Sequence, residues 1–131
     1  DMADRSEIEA KLDEILKREP RFDRAAYLFV TDAVTFTVDR LPAHRHVSAR
    51  ELLEGLRDYA GQEFGVMAPE VLASWGIRNA SEVGEIVYLL IGAGLLSASP
   101  EDRREDFDLP FPLTVPAAQQ PRSGVPLPKI D

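Results

Sequence analysis

The sequence predicts a mainly α, five-helix single domain whose second half admits a winged-helix-like packing, followed by an extended Pro-rich C-terminal arm. Three observations carry this reading. Apolar residues recur at helical spacing through most of the first hundred positions. Ser, Asp or Asn stands just before several of those stripes, where helix caps belong. Prolines are sparse and then dense: Pro20, Pro42 and Pro69 before position 100, then Pro100, Pro110, Pro112, Pro116, Pro121, Pro126 and Pro128. The domain is therefore placed at residues 1–108 and the arm at 109–131.

The first helix is read at 7–17. Ser6 and Glu9 have capping-box spacing, Ile8, Leu12, Ile15 and Leu16 form one stripe, and Pro20 stops it. The second spans 24–40 behind Asp23 and is apolar on most sides, as suits the middle of a bundle. Its stretch 34–38 also alternates like a strand, but no partner strand is evident, so helix is preferred. The third opens at Ser48 with Glu51 closing a capping box. Val47 and Leu52 have the spacing of a hydrophobic staple, and Gly65 is placed to end the helix in a left-handed conformation. A short fourth helix covers 68–75, with Pro69 in its first turn and Gly76 as its stop. The fifth covers 80–91 behind Asn79, with Glu82 as its capping partner. Ser99-Pro100 with Asp102 starts a last turn or two anchored by Phe107. The core is expected from Leu12, Ile15, Leu28, Phe29, Leu52, Leu56, Trp75, Ile86 and Leu90.

The chain has 131 residues, 44% of them hydrophobic, enough for one core and too apolar for wholesale disorder. It carries 15 Lys and Arg against 23 Asp and Glu, a net charge of −8, which repels phosphate and disfavours generic nucleic-acid or anionic-membrane binding. No apolar run approaches the roughly 18–20 residues of a membrane span, and no secretory leader is read. With no Cys, disulfides, thiolate metal sites and Cys nucleophiles are excluded, and a cytoplasmic setting is expected.

The local exception to the acidic balance is the stretch 40–50. It holds Arg40, His44, Arg45, His46 and Arg50, and no acid. With the head of the third helix beside it, this stretch is the candidate site for an anion or an acidic partner segment. The alternative is a solvated loop whose cations balance Asp39, Glu51 and Glu54. His44 and His46 lack a third ligand cluster, so no metal is expected. Neither a nucleophile elbow nor a phosphate loop is present, so no catalytic residue and no cofactor is assigned. Residues 73–96 have helix-turn-helix spacing with the start of a wing, but Glu82 and Glu85 would face phosphates, so nucleic-acid reading ranks as the alternative.

Several segments resemble an uncharacterised bacterial protein family of planctomycete and verrucomicrobial type. They include Ala26-Tyr27-Leu28-Phe29-Val30, the block from His46 through Ala60, Trp75-Gly76-Ile77-Arg78, Ala93-Gly94-Leu95-Leu96 and Arg104-Glu105-Asp106-Phe107. The resemblance covers roughly 7–108 and implies a standalone bacterial protein of one domain; it brings no activity, and the arm after Leu109 departs from it. The expectation is a non-catalytic interaction or scaffold module. Its partner would be another protein, or a second copy held through the arm.

Overall fold

The computed structural model describes residues 2–115, with side chains from residue 5 onward. The chain forms α1 (Met2–Arg18), α2 (Arg24–Asp39), α3 (Ala49–Phe64), α4 (Ala68–Ser74) and α5 (Ala80–Gly92), with single 3-10 turns at Gly65–Met67 and Arg104–Phe107. The mainly helical class holds, and no strand occurs among the described residues. The expected arm beyond Val115 lies outside the described residues.

α2 is the central helix, packed against α1, α3 and α5. Along its length each threonine hydroxyl is satisfied by the carbonyl one turn back. Thr31 Oγ1 donates to Tyr27 O (2.9 Å), Thr35 Oγ1 to Thr31 O (3.4 Å) and Thr37 Oγ1 to Ala33 O (2.7 Å). Thr37 is therefore buried with its hydroxyl satisfied, and it faces Gly55 on α3. A Cβ at Gly55 would overlap the Thr37 side chain, so glycine there sets how closely α2 and α3 approach.

The helix heads follow their caps. Asp23 accepts from Ala25 N at 3.4 Å, Asn79 accepts from Glu82 N at 2.9 Å, and Ser48 forms a full reciprocal box with Glu51. One cap differs from expectation. α1 begins at Met2, so Ser6 lies inside the helix and the Ser6–Glu9 box is not used. Nothing before Ser6 breaks a helix, and a capping side chain works only where its own backbone leaves helical geometry. Gly65 has positive φ (53°), but its ψ of −129° is not that of a left-handed helical residue; a 3-10 turn follows directly. At the start expected after Ser99 one turn closes, with Asp102 N donating to Ser99 O (3.0 Å) and Ser99 N to the Asp102 carboxylate (2.8 Å), and a 3-10 turn ending on buried Phe107 follows at Arg104–Phe107.

The core contains Leu12, Ile15, Phe29, Leu52, Leu56, Ile86 and Leu90, as expected. Two expectations change. Leu28 is 46% exposed, because its neighbour Phe29 takes the inward direction and Leu28 falls with Asp32 on the outer side of α2. Trp75 is half-buried at the core's edge rather than inside it. Ile8 of the α1 stripe is likewise exposed. Phe107 is buried against Gly84, where an added Cβ would come within 2.6 Å of the Phe107 Cβ. Beyond it, Leu113 is buried and Phe111 lies over the guanidinium groups of Arg50 (5.5 Å) and Arg57 (5.2 Å). The first residues assigned to the arm are thus seated on the helical body.

Gly55→Ala is expected to destabilise the protein by about 1–3 kcal/mol in urea unfolding, the ordinary range for overpacking. Adding Thr37→Ala removes the opposing methyl and hydroxyl and recovers part of that loss. Simple additivity of the two substitutions would show that the helices do not meet there.

Candidate functional site

The five basic residues of the stretch 40–50 are dispersed rather than gathered. Arg40 ends α2 and turns away from the loop; its guanidinium lies 4.6 Å from the centre of the Phe36 ring and 3.0 Å from Asp58. His44 is largely in solvent, 4.0 Å from Asp39. Arg45 makes a two-pronged pair with Glu51 (3.0 and 2.8 Å) and donates to His46 O (3.0 Å). Arg50 sits 3.5 Å from Glu54, one turn along α3, and against Phe111. Each Arg is therefore matched to a carboxylate of its own chain.

Glu51 holds this region together. It receives Arg45 on one side and Ser48 N (2.8 Å) on the other, and its own N–H goes to Ser48 Oγ (3.1 Å). The Arg45 hydrogen bonds, then the Ser48 amide, hold its carboxyl at about 2, below the ordinary 4.5.

Arg45 and His46 share the rim of a cavity of about 100 Å³ between α2, α3, α5 and the 97–107 segment. Its floor is apolar, with Val34, Val38, Leu52, Val87 and Ile91; Asp102, Arg103 and Asp106 face it from the far side. His46 Nδ1 lies 2.8 Å from Ser99 Oγ, and Ser99 N donates to Asp102. Ser99 is the partner that sequence reasoning missed, since 53 residues separate it from His46. Among the described residues no group of three His, Asp or Glu is placed to hold a metal ion, and no helix is long and apolar enough to cross a membrane.

A second feature lies along the α2–α3 seam. Phe36 and Tyr59 are 5.1 Å apart between ring centres, Tyr59 and Phe29 stack at 5.2 Å, and Phe29 meets Phe64 at 5.8 Å and Trp75 at 5.5 Å. Phe64 and Trp75 close the chain edge-on at 5.6 Å. Five rings form one connected surface, and only Phe29 is buried; the other four are half-buried. Leu28 beside Phe29, and Val66 and Met67 just after Phe64, add exposed apolar area. Two carboxylates border it. Partial burial and then the charge of Glu63 raise the Asp32 carboxyl above its ordinary value. Burial and then both acids raise the Tyr59 hydroxyl. A half-exposed aromatic strip beside two mutually repelling acids is suited to an apolar segment carrying a cation.

The seam was only partly legible in the sequence. Phe29 and Phe36 stand seven residues apart on one face of α2, which is a readable stripe, but the meeting with Tyr59, Phe64 and Trp75 is tertiary. No protein-family model, curated protein or solved structure matches this chain.

The lowered Glu51 value fixes a pH dependence. Its contribution is fully present above the unfolded-state range near 4.5 and fades as pH falls toward about 2. A carboxyl-resolved NMR titration is expected to place Glu51 as the most acidic side chain of this region. Arg45→Gln is expected to move it upward, and an unmoved Glu51 would assign the shift to the Ser48 amide alone.

Proposed function

We propose that this chain is a non-catalytic protein-interaction module of a bacterial cytoplasm, holding an extended, proline-containing segment with a basic side chain on the α2–α3 seam. The observation that carries the reading is the run of five contacting rings bordered by Asp32 and Glu63. Aromatic grooves recognise polyproline-type backbones because that conformation is already extended and loses little entropy on docking. Burial first, and then the charge of Glu63, raises the Asp32 carboxyl, and a lysine or arginine in such a segment would offset the second of these. Half-buried Trp and Tyr are also the side chains that most often dominate binding energy.

The basic loop supports an acidic partner less well. Such a partner would have to displace Glu51, Asp58 or Glu54 from the arginines they already hold. A metabolite site is supported less again, since the cavity beside His46 holds about 100 Å³ against the roughly 300–1,000 Å³ of ordinary small-molecule pockets. The winged-helix alternative would present Glu82 and Glu85 to phosphates; Glu82 caps Arg78 N at 2.7 Å and Glu85 pairs with Arg21. The bacterial setting rests on the family resemblance.

Isothermal titration of a synthetic Arg-x-x-Pro-x-Pro peptide tests the reading. Binding is expected to weaken by about tenfold or more in Asp32→Lys/Glu63→Lys, equivalent to at least ~1.4 kcal/mol, and similarly in Trp75→Ala. Reversal of Arg45 and Arg50 to Glu is expected to leave it unchanged. Loss of binding in that second variant, with the first unaffected, would move the site to the basic loop.

A further inference from the structure

The cavity beside His46 shares no residue with the aromatic seam, and it has its own chemistry. Its floor is aliphatic: Leu52 and Val87 are buried, while Val34, Val38 and Ile91 are half-buried. At about 100 Å³ it is too small to enclose a whole metabolite. One aliphatic side chain is a different matter. An apolar cavity of roughly 150 Å³ takes up a benzene ring, and the side chains of leucine, isoleucine and valine are smaller than that. A ligand of this kind would place its apolar part on the floor and leave its head group at the mouth.

The mouth carries both signs of charge with bonding capacity left over. Asp102 accepts from Ser99 N through Oδ2 (2.8 Å), and Asp106 accepts from Arg103 N through Oδ2 (3.1 Å). Each carboxylate therefore keeps Oδ1 for another donor. Arg103 is exposed, and among the described residues it enters no ion pair; Asp108, just past the same turn, pairs with Arg104 instead (3.4 Å). Arg45 on the near rim differs, because Glu51 already holds it (2.8 Å). Tyr88 also lines the cavity, and burial first, then Asp102, Asp106 and Glu105, raise its hydroxyl above the ordinary value. That part of the mouth thus favours a positive group, with a guanidinium beside it for a negative one.

We propose that this cavity binds a free aliphatic α-amino acid of the leucine, isoleucine or valine type, its side chain on the floor, its ammonium at Asp102 and Asp106 and its carboxylate at Arg103. The class follows from joining the two observations. An amine or a carboxylic acid of the same size meets only one sign of the mouth, and a polar amino acid leaves the floor without an apolar partner. All three head-group contacts come from the 97–107 segment, whereas the floor comes from α2, α3 and α5. The ligand would therefore add a third tie between segment and body, beside the His46–Ser99 contact (2.8 Å) and the packing of Phe107 on Gly84. The inference is independent of the peptide reading of the seam.

Methyl-resolved NMR of the full chain, titrated with L-leucine, tests it. Saturable shifts are expected at the methyl groups of Val34, Val38 and Val87, with none from glycine or L-aspartate. Arg103→Gln is expected to weaken leucine by about tenfold or more, the ordinary worth of a charge-assisted hydrogen bond, and to leave binding of 3-methylbutylamine unchanged. Asp106→Asn, which keeps an acceptor for Arg103 N, is expected to weaken both ligands. The absence of saturable shifts with leucine, isoleucine and valine overturns the proposal. So does binding of 3-methylbutylamine or 4-methylpentanoate to the native chain as tight as that of leucine, since the mouth would then read one charge only. Leucine binding that survives both substitutions unweakened overturns it as well, because it would leave an apolar cavity with no part for its mouth.

Discussion

The close approach of α2 and α3 at Thr37 and Gly55 is the constraint from which the rest of the surface follows. A buried hydroxyl is costly unless it is hydrogen-bonded, and Thr37 meets that need inside its own helix, through Ala33 O. Its partner then requires no polar group, only space, which Gly55 supplies. With the helices fixed at that point, neighbouring side chains have little freedom. Phe36, the residue before Thr37, meets Tyr59, one turn beyond Gly55. Two turns earlier on α2, Phe29 reaches Tyr59, Phe64 and Trp75 together. The aromatic seam is therefore the outer edge of the contact that sets the helix spacing, and substitutions at its centre affect both packing and surface.

How much was readable from sequence depends on the range of the interaction. Caps at Asp23, Ser48 and Asn79 are contacts over two or three residues, and the chain states them openly. The Ser6–Glu9 box has the same signature and fails, because a cap is defined by where the helix begins and α1 begins earlier, at Met2. Leu28 and Phe29 show the next limit. In a helix apolar on most sides, composition cannot say which of two adjacent residues turns inward; the position of α3 decides it. Trp75 stands at the end of a seven-residue helix, where the core runs out, and so stays half-covered.

The basic stretch shows the same limit in its electrostatics. A window of residues 40–50 reads as a cationic patch because the acids that match it lie just outside. Asp39, Glu51 and Glu54 are near neighbours in sequence, whereas Asp58 reaches Arg40 across the α2–α3 seam. Glu51 serves the Ser48 cap and Arg45 at once, so the loop's shape and its charge are set by one carboxylate. His46 is drawn instead to Ser99, where no local pattern pointed.

These two charge arrangements differ in a way that bears on function. At the loop, opposite charges meet and the carboxyl of Glu51 is strongly favoured in its ionised form. Along the seam, like charges sit near one another beside half-exposed rings, and the Asp32 carboxyl is disfavoured in its ionised form. The first arrangement is already complete, so an added ligand gains little there. The second is left with the Asp32–Glu63 repulsion, secondary to burial at Asp32, which a cation from elsewhere would offset, and with apolar area that a second segment would take out of water. Both gains come from the same event, which is why the seam, rather than the arginine-rich loop, is the surface where binding would be favoured.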